Sequence, residues 1–201
     1  MPATWLDALE GDAPDVVTAF RGIDAGRFLS VRREVRRRAA DGSAAKVAAE
    51  LGAIAAAIAA LVETLPEAAF RAPGGEEDWN VAQAIGHDAD ARAGLSVAAA
   101  LAARGRFPAD AGQVVPGVAG PADATREALL RRIGASQRIV ERSARSIAGH
   151  ESEPCPLDHP LVGRLRCGEW LLFAGVHDLM HLEQLHRLAE ALGARAAESA
   201  T

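Results

Sequence analysis

The chain has 201 residues, a formal net charge of −5 and a pI near 5.7. That length suits one domain with a sizeable core rather than two, and the charge gives no global attraction to nucleic acid or to an anionic membrane surface. Apolar residues make up 49% of the chain, yet aromatics are only 4% and tyrosine is absent. Alanine-dominated apolar surface favours closely packed helices over a sandwich of aromatic and β-branched faces, so the expected class is all-α.

The N-terminal stretch "MPATWLDALEGDAPD" is acidic and lacks the basic start and apolar centre of a signal peptide, which makes the cytoplasm the expected location. Residues ~15–40 read as one or two short helices broken near "RGIDAG". Within them the basic run "RREVRRR", Arg32 to Arg38, spreads over more than one side of a helix. It reads as a solvated face, with Phe28, Leu29 and Val35 left to contact the body. It lacks the aromatic interleaving of a nucleic-acid surface, so no nucleic-acid partner is expected.

Four longer helical segments follow. The first covers ~44–66 and stops before "PEAAFRAPGGEED"; its uncharged run between Glu50 and Glu63 is too short to span a bilayer, so no membrane association is expected. The second starts near "DWNVAQ", with Asp78 as N-cap, and ends about Ala103 with Gly105 as its stop. The third lies between Pro121 and Gly149, and the fourth opens at Gly168 and Glu169 and closes at Gly193. Each is roughly 35–43 Å long at 1.5 Å rise per residue, the proportions of a four-helix bundle. The connections ~105–120 and ~150–167 are long enough to run the length of such a bundle. Residues 1–40 are thus an extra N-terminal helical element, and 41–201 the bundle domain.

In the fourth segment the 3-4 spacing selects Trp170, Phe173 or Ala174, His177, His181, Gln184 and Leu188 as one inward stripe. His177 and His181 stand in it at i and i+4, about 40° apart around the helix, so both can converge on one point. In the second segment the same spacing gives Asn80, Ala84, His87, Ala91 and Leu95, with small alanines either side of His87. Burying an unpaired imidazole costs on the order of 1–3 kcal/mol, and three in one core need a common partner. A divalent ion held by His87, His177 and His181 is that partner, and three protein ligands leave a coordination position open, the pattern of a reactive site.

Other chemistry-bearing residues fit less well. "HDLMH" differs from the HExxH of zinc proteases in the residue that would act as base: Asp178 is shorter than glutamate and reads as supporting the ligands or as surface. Glu183 and His186 make one Glu-x-x-His pair where a di-iron bundle needs two, and His186 points away from His181. His150 and His159 read as polar loop residues. Cys155 and Cys167 are expected to be unpaired thiols in a reducing compartment, and "CPLDH" lacks the second ligand pair of a zinc knuckle.

Two stretches, "DWNVAQAIGHDADAR" and "HPLVGRLRCGEWLLFAGVHDLMHLEQL", resemble the DinB-like superfamily, which includes the metal-binding domain of mycothiol-dependent maleylpyruvate isomerases. The second is the more specific, through its G-x-L-x-x-x-E-W-L-x-F ahead of H-x-x-x-H-x-x-Q. The resemblance implies an up-down-down-up four-helix bundle whose three histidines, His87, His177 and His181 here, bind nickel or zinc. It also implies a low-molecular-weight thiol as cosubstrate, activated by the metal to attack an electrophile or isomerise a double bond. The expected function is therefore a metal-dependent thiol S-transferase or isomerase acting on a small-molecule substrate. A metal-dependent hydrolase and a non-catalytic, stress-associated metal-binding protein are the alternatives. Arg164 and Arg166 are candidates to meet carboxylates of the thiol, and a homodimer is a reasonable oligomeric state.

Overall fold

The computed structural model describes residues 4–22, 28–74, 78–110 and 117–198, with the side chains of 28–30 and 193–198 outside that description. The described residues are all-helical. They form α1 (Thr4–Leu9), α2 (Pro14–Arg21), α3 (Phe28–Arg38), α4 (Ala44–Thr64), a 3-10 turn (Glu67–Arg71), α5 (Val81–Ala103), α6 (Arg126–Ile147) and α7 (Cys167–Glu198). The four long helices are those expected, with shifted ends. Asp78 does not cap α5. Asn80 does, accepting from Gln83 N while the Gln83 side chain accepts from Asn80 N, a capping box. Thr125 rather than Pro121 starts α6, its hydroxyl accepting from Ala128 N. Helix α7 runs through Gly193, because a glycine inside a helix costs only about 1 kcal/mol and breaks nothing by itself. Gly105 and Gly149 sit at φ +64° and +79°, the left-handed backbone that ends a helix.

Helices α4 and α5 occupy opposite corners of the bundle, each packed between α6 and α7. Polar contacts give the directions. Arg126 reaches Leu65 O, and Ala44 N donates to Glu151, so α4 and α6 are antiparallel. Asp90 meets Arg132, and Arg92 meets Gln137, so α5 and α6 run in parallel. His87 faces His181 while Gln184 reaches back to Gly74 O, so α5 and α7 are antiparallel. The order is up, down, down, up. By length and composition α4 could cross a membrane, but here it carries Lys46 and a buried Glu50 and packs its Val47, Leu51, Ile54, Ile58 and Val62 into the core.

The N-terminal helices lie against this body. Buried Val16, Val17, Val31 and Val35 seat α2 and α3 on α7. A Cβ on Gly175 would come within 2.9 Å of Val16 and 2.8 Å of Leu51, so only glycine there lets α2 and α4 approach α7 this closely. Glu50 of α4 accepts from the backbone N–H of Asp15 and Val16 at the start of α2, at 3.0 Å each. The arginine run is more engaged than a solvated face. Arg38 pairs with Asp15 and Glu34, Arg36 with Glu169, and Arg32 donates to Arg164 O. Val35 is buried as expected; the break at 23–27 and the side chains of Phe28 and Leu29 lie outside the described residues.

Candidate metal centre

Three imidazoles meet where α5 and α7 cross. Ring centroids are 5.3 Å apart for His87 and His177, 5.2 Å for His87 and His181, and 4.6 Å for His177 and His181. One nitrogen of each lies within 4.8 Å of the others, close enough for side-chain adjustment to bring all three to about 2.0–2.1 Å from a common ion. The Nδ1 side of each ring faces a partner away from that centre. His87 Nδ1 is 2.8 Å from Val118 O, His181 Nδ1 is 3.1 Å from Gln184 Oε1, and His177 Nδ1 is 3.7 Å from Asp88 Oδ1. Nδ1–H donation to the Val118 carbonyl and the Gln184 amide oxygen puts the lone pair on Nε2 of His87 and His181, the form that ligates, while the Asp88 carboxylate faces His177 Nδ1 from beyond hydrogen-bond distance. Burial lowers the pKa of His87, reinforced by His181 against the Val118 hydrogen bond, which keeps its ring neutral.

The strap that supplies Val118 O depends on glycine. Gly120 N donates to Gln83 O at 3.0 Å, and a Cβ on Gly120 would lie 2.6 Å from Gly86 Cα. With no side chain at either position, the strap lies directly on α5 and its carbonyl reaches His87.

Behind His177 is a buried ionic group that the sequence reading missed. Asp88, Arg92 and Asp178 are 2%, 1% and 0% exposed. Arg92 Nε sits 3.0 Å from Asp178 Oδ2, and its Nη2 donates to Leu51 O and Gln137 Oε1. Asp178 is therefore not a surface residue. Burial pushes its carboxyl well up, and the neighbouring Asp88 carboxylate adds to that against Arg92. Burial also pushes Asp88 up, but contact with His177, the charge of His181 and His177, and Arg92 outweigh it and leave Asp88 below the ordinary carboxylate value. Asp88 is thus the more acidic of the two carboxyls, and Asp178 the one that binds a proton more tightly. Asp88, His177 and Asp178 also lie close enough to form a second ligand set. The Arg92 guanidinium beside it opposes a second cation, so the three-histidine set is the one that fits. Among the described residues no fourth His, Cys, Asp or Glu joins that set.

His87 and His177 open onto a cavity of about 520 Å³ walled by α5, Phe173, Met180 and the 157–161 loop, including Ala91, Gly94 and Leu95. Its lining is mostly apolar and holds no Lys or Arg; Asp90, its one carboxylate, is tied to Arg132. His159, expected as an ordinary loop residue, lines this cavity with its ring on Phe173 at 5.3 Å. Its Nδ1 accepts from Leu161 N at 3.1 Å, which puts its proton on Nε2. Burial lowers its pKa, as does the charge of His177. Arg164 and Arg166 are exposed and outside the cavity lining, Arg164 lying 3.8 Å from Asp158. His186 does point elsewhere, stacked on Trp5 at 5.0 Å. Cys155 and Cys167 are buried free thiols, the first raised by burial and the second pushed up to about 12 by burial and the neighbouring Cys155.

The family model described as the DinB superfamily matches residues 50–185, about two thirds of the chain and all three histidines. The chain belongs to the DinB superfamily. No curated protein and no solved structure matches it. The DinB assignment and the convergence of His87, His177 and His181 rest on separate observations, one of sequence along the bundle and one of geometry at its centre.

Proposed function

We propose that this DinB-superfamily chain is a metal-dependent enzyme that uses a low-molecular-weight thiol to attack or isomerise a small apolar electrophile. The observation that carries the reading is a three-imidazole cluster with no fourth protein ligand among the described residues, facing an apolar cavity. A divalent cation held by three neutral imidazoles keeps its full charge and would stabilise a thiolate at neutral pH. Nickel and zinc suit such a nitrogen set. Val118 O and Gln184 hold the rings of His87 and His181, and the Asp88 carboxylate stands 3.7 Å from His177 Nδ1, so the site is largely arranged before any ligand arrives. Both chain thiols are buried with raised pKa values, so the nucleophile comes from solution.

In the transfer reaction the thiol gives its proton to solvent, a sulfur pair forms the new S–C bond, and the leaving group departs with the electrons of the bond it breaks. In the isomerisation the sulfur adds to a conjugated double bond, the carbon–carbon bond rotates, and the same thiolate is expelled unchanged. The electrophile sits among Ala91, Leu95 and Phe173, with His159 Nε2–H as a donor for a carbonyl oxygen.

The test is conjugation of monochlorobimane with mycothiol, bacillithiol or glutathione, with and without chelator. Metal- and thiol-dependent turnover that disappears in His177→Ala is expected. Hydrolysis of esters or amides with no thiol added, and no conjugation with any of the three, would replace this reading with the hydrolase.

A further inference from the structure

A second cavity, of about 370 Å³, borders His177, Met180 and His181. The two cavities share His177 and Met180, so the histidine cluster stands between them. Their chemistry differs. The second is walled by Phe20, Arg21, Glu183, Gln184 and Arg187, and both of its cations lie outside the span matched to the DinB superfamily. Arg21 comes from α2, part of the N-terminal element, held to Asp7 at 2.5 Å and to Glu10 at 2.9 Å. Arg187 lies one turn beyond Glu183 on α7, at 3.7 Å, with a side chain 61% exposed and able to turn inward. Glu183 and the two arginines give it charges of both signs, and Leu6 and Phe20 complete its lining.

We infer that this polar cavity, built by the N-terminal helices against α7, binds the hydrophilic end of the thiol cosubstrate, while the apolar cavity takes the electrophile. The inference rests on the thiol-dependent reading proposed above and deepens it. A low-molecular-weight thiol carries carboxylate, ammonium or hydroxyl groups around a short sulfhydryl arm. An apolar pocket without Lys or Arg would leave those groups desolvated and unpaired, whereas Arg187, no closer than 3.7 Å to Glu183, meets a carboxylate or hydroxyl with charge-assisted hydrogen bonds. The arm then passes between α2 and α7 to the histidines, and the new S–C bond forms where the cavities meet. Met180, an adaptable side chain common to both walls, separates the two substrates.

Two variants address the cavities separately. Arg187→Glu reverses a charge on an exposed side chain. Gly94→Leu projects into the apolar cavity, since a Cβ at Gly94 meets nothing within 4 Å. Calorimetric titration of mycothiol, bacillithiol and glutathione into metal-loaded wild-type protein identifies the thiol that binds. We expect Arg187→Glu to weaken that thiol about tenfold or more with the KM for monochlorobimane unchanged. Gly94→Leu should raise the KM for monochlorobimane and leave thiol affinity as it was. Arg187→Glu within twofold of wild type for the thiol, or Gly94→Leu weakening the thiol, overturns the placement alone. No thiol binding to wild type overturns both this inference and the reading on which it rests.

Discussion

Helices α4 and α5 pack against the same two neighbours from opposite corners of the bundle, and they bury different things. The core positions of α4 are Val47, Leu51, Ile54, Ile58 and Val62, with Glu50 its one buried charge. Those of α5 include Asp88, Arg92 and Ser96, beside His87. Both arrangements form a helix and fill a core, so folding alone does not require the polar one. Burying two carboxylates and a guanidinium costs several kcal/mol per ion before their attraction returns it. The contrast is that α4 is built for packing, whereas α5 carries charges gathered beside His177.

The largest expected effect comes from breaking the α5 group. Arg92→Leu should destabilise the chain by about 3–5 kcal/mol in urea unfolding, because two buried carboxyls lose their cation. The double variant Arg92→Leu/Asp178→Leu should recover most of that stability without recovering metal affinity. Recovery of both would mean that the charges serve folding only. Next, Asp88→Asn should weaken metal binding by about 10–100-fold in competition with a chromophoric chelator, while the metal-free protein melts nearly where wild type does.

Glycines sharpen the same comparison at a smaller scale. Gly120→Ala drives a Cβ into the backbone of α5 and should cost about 1–3 kcal/mol, with loss of the His87 Nδ1–H signal bonded to Val118 O in NMR spectra. Gly52→Ala on α4 meets the end of the Gln137 side chain at 3.1 Å, which must shift slightly while keeping its bond to Arg92, and should change stability by less than about 1 kcal/mol.

The smallest effect concerns pH. Burial pushes Asp15 up, but Lys46 of α4 and Arg38 outweigh it and hold its carboxyl below the ordinary value. A depressed folded-state pKa contributes stability that is present above the unfolded value and lost as pH falls through the folded one. Asp15→Asn should therefore lower stability slightly at neutral pH and leave it nearly unchanged at low pH, flattening the acid limb by a small amount, since Lys46 is 58% exposed and screened.

The four long helices were legible because each carries a long apolar period between glycine and proline breaks. The three ligands were legible because histidine stands out on an apolar stripe. Asp88, Arg92 and Asp178 escaped because a single stripe assumes one buried face. Helix α5 lies between α6 and α7, and α7 touches α2, α3, α4 and α5, so their buried arcs are far wider than one stripe. Asp178, about 100° round from His177, is inside that arc. His159 escaped for another reason: the loop that carries it folds back over Phe173, and no local pattern encodes such a return.

In the proposed metal centre His87, His177 and His181 share one cation. Elemental analysis of protein purified without chelator or affinity metal should find about one nickel or zinc ion per chain in wild type and none in His87→Ala, with the variant still helical and folded by circular dichroism. Metal-free wild-type protein that takes up no divalent ion on titration, or a His87→Ala variant that keeps a full equivalent at wild-type affinity, would contradict it.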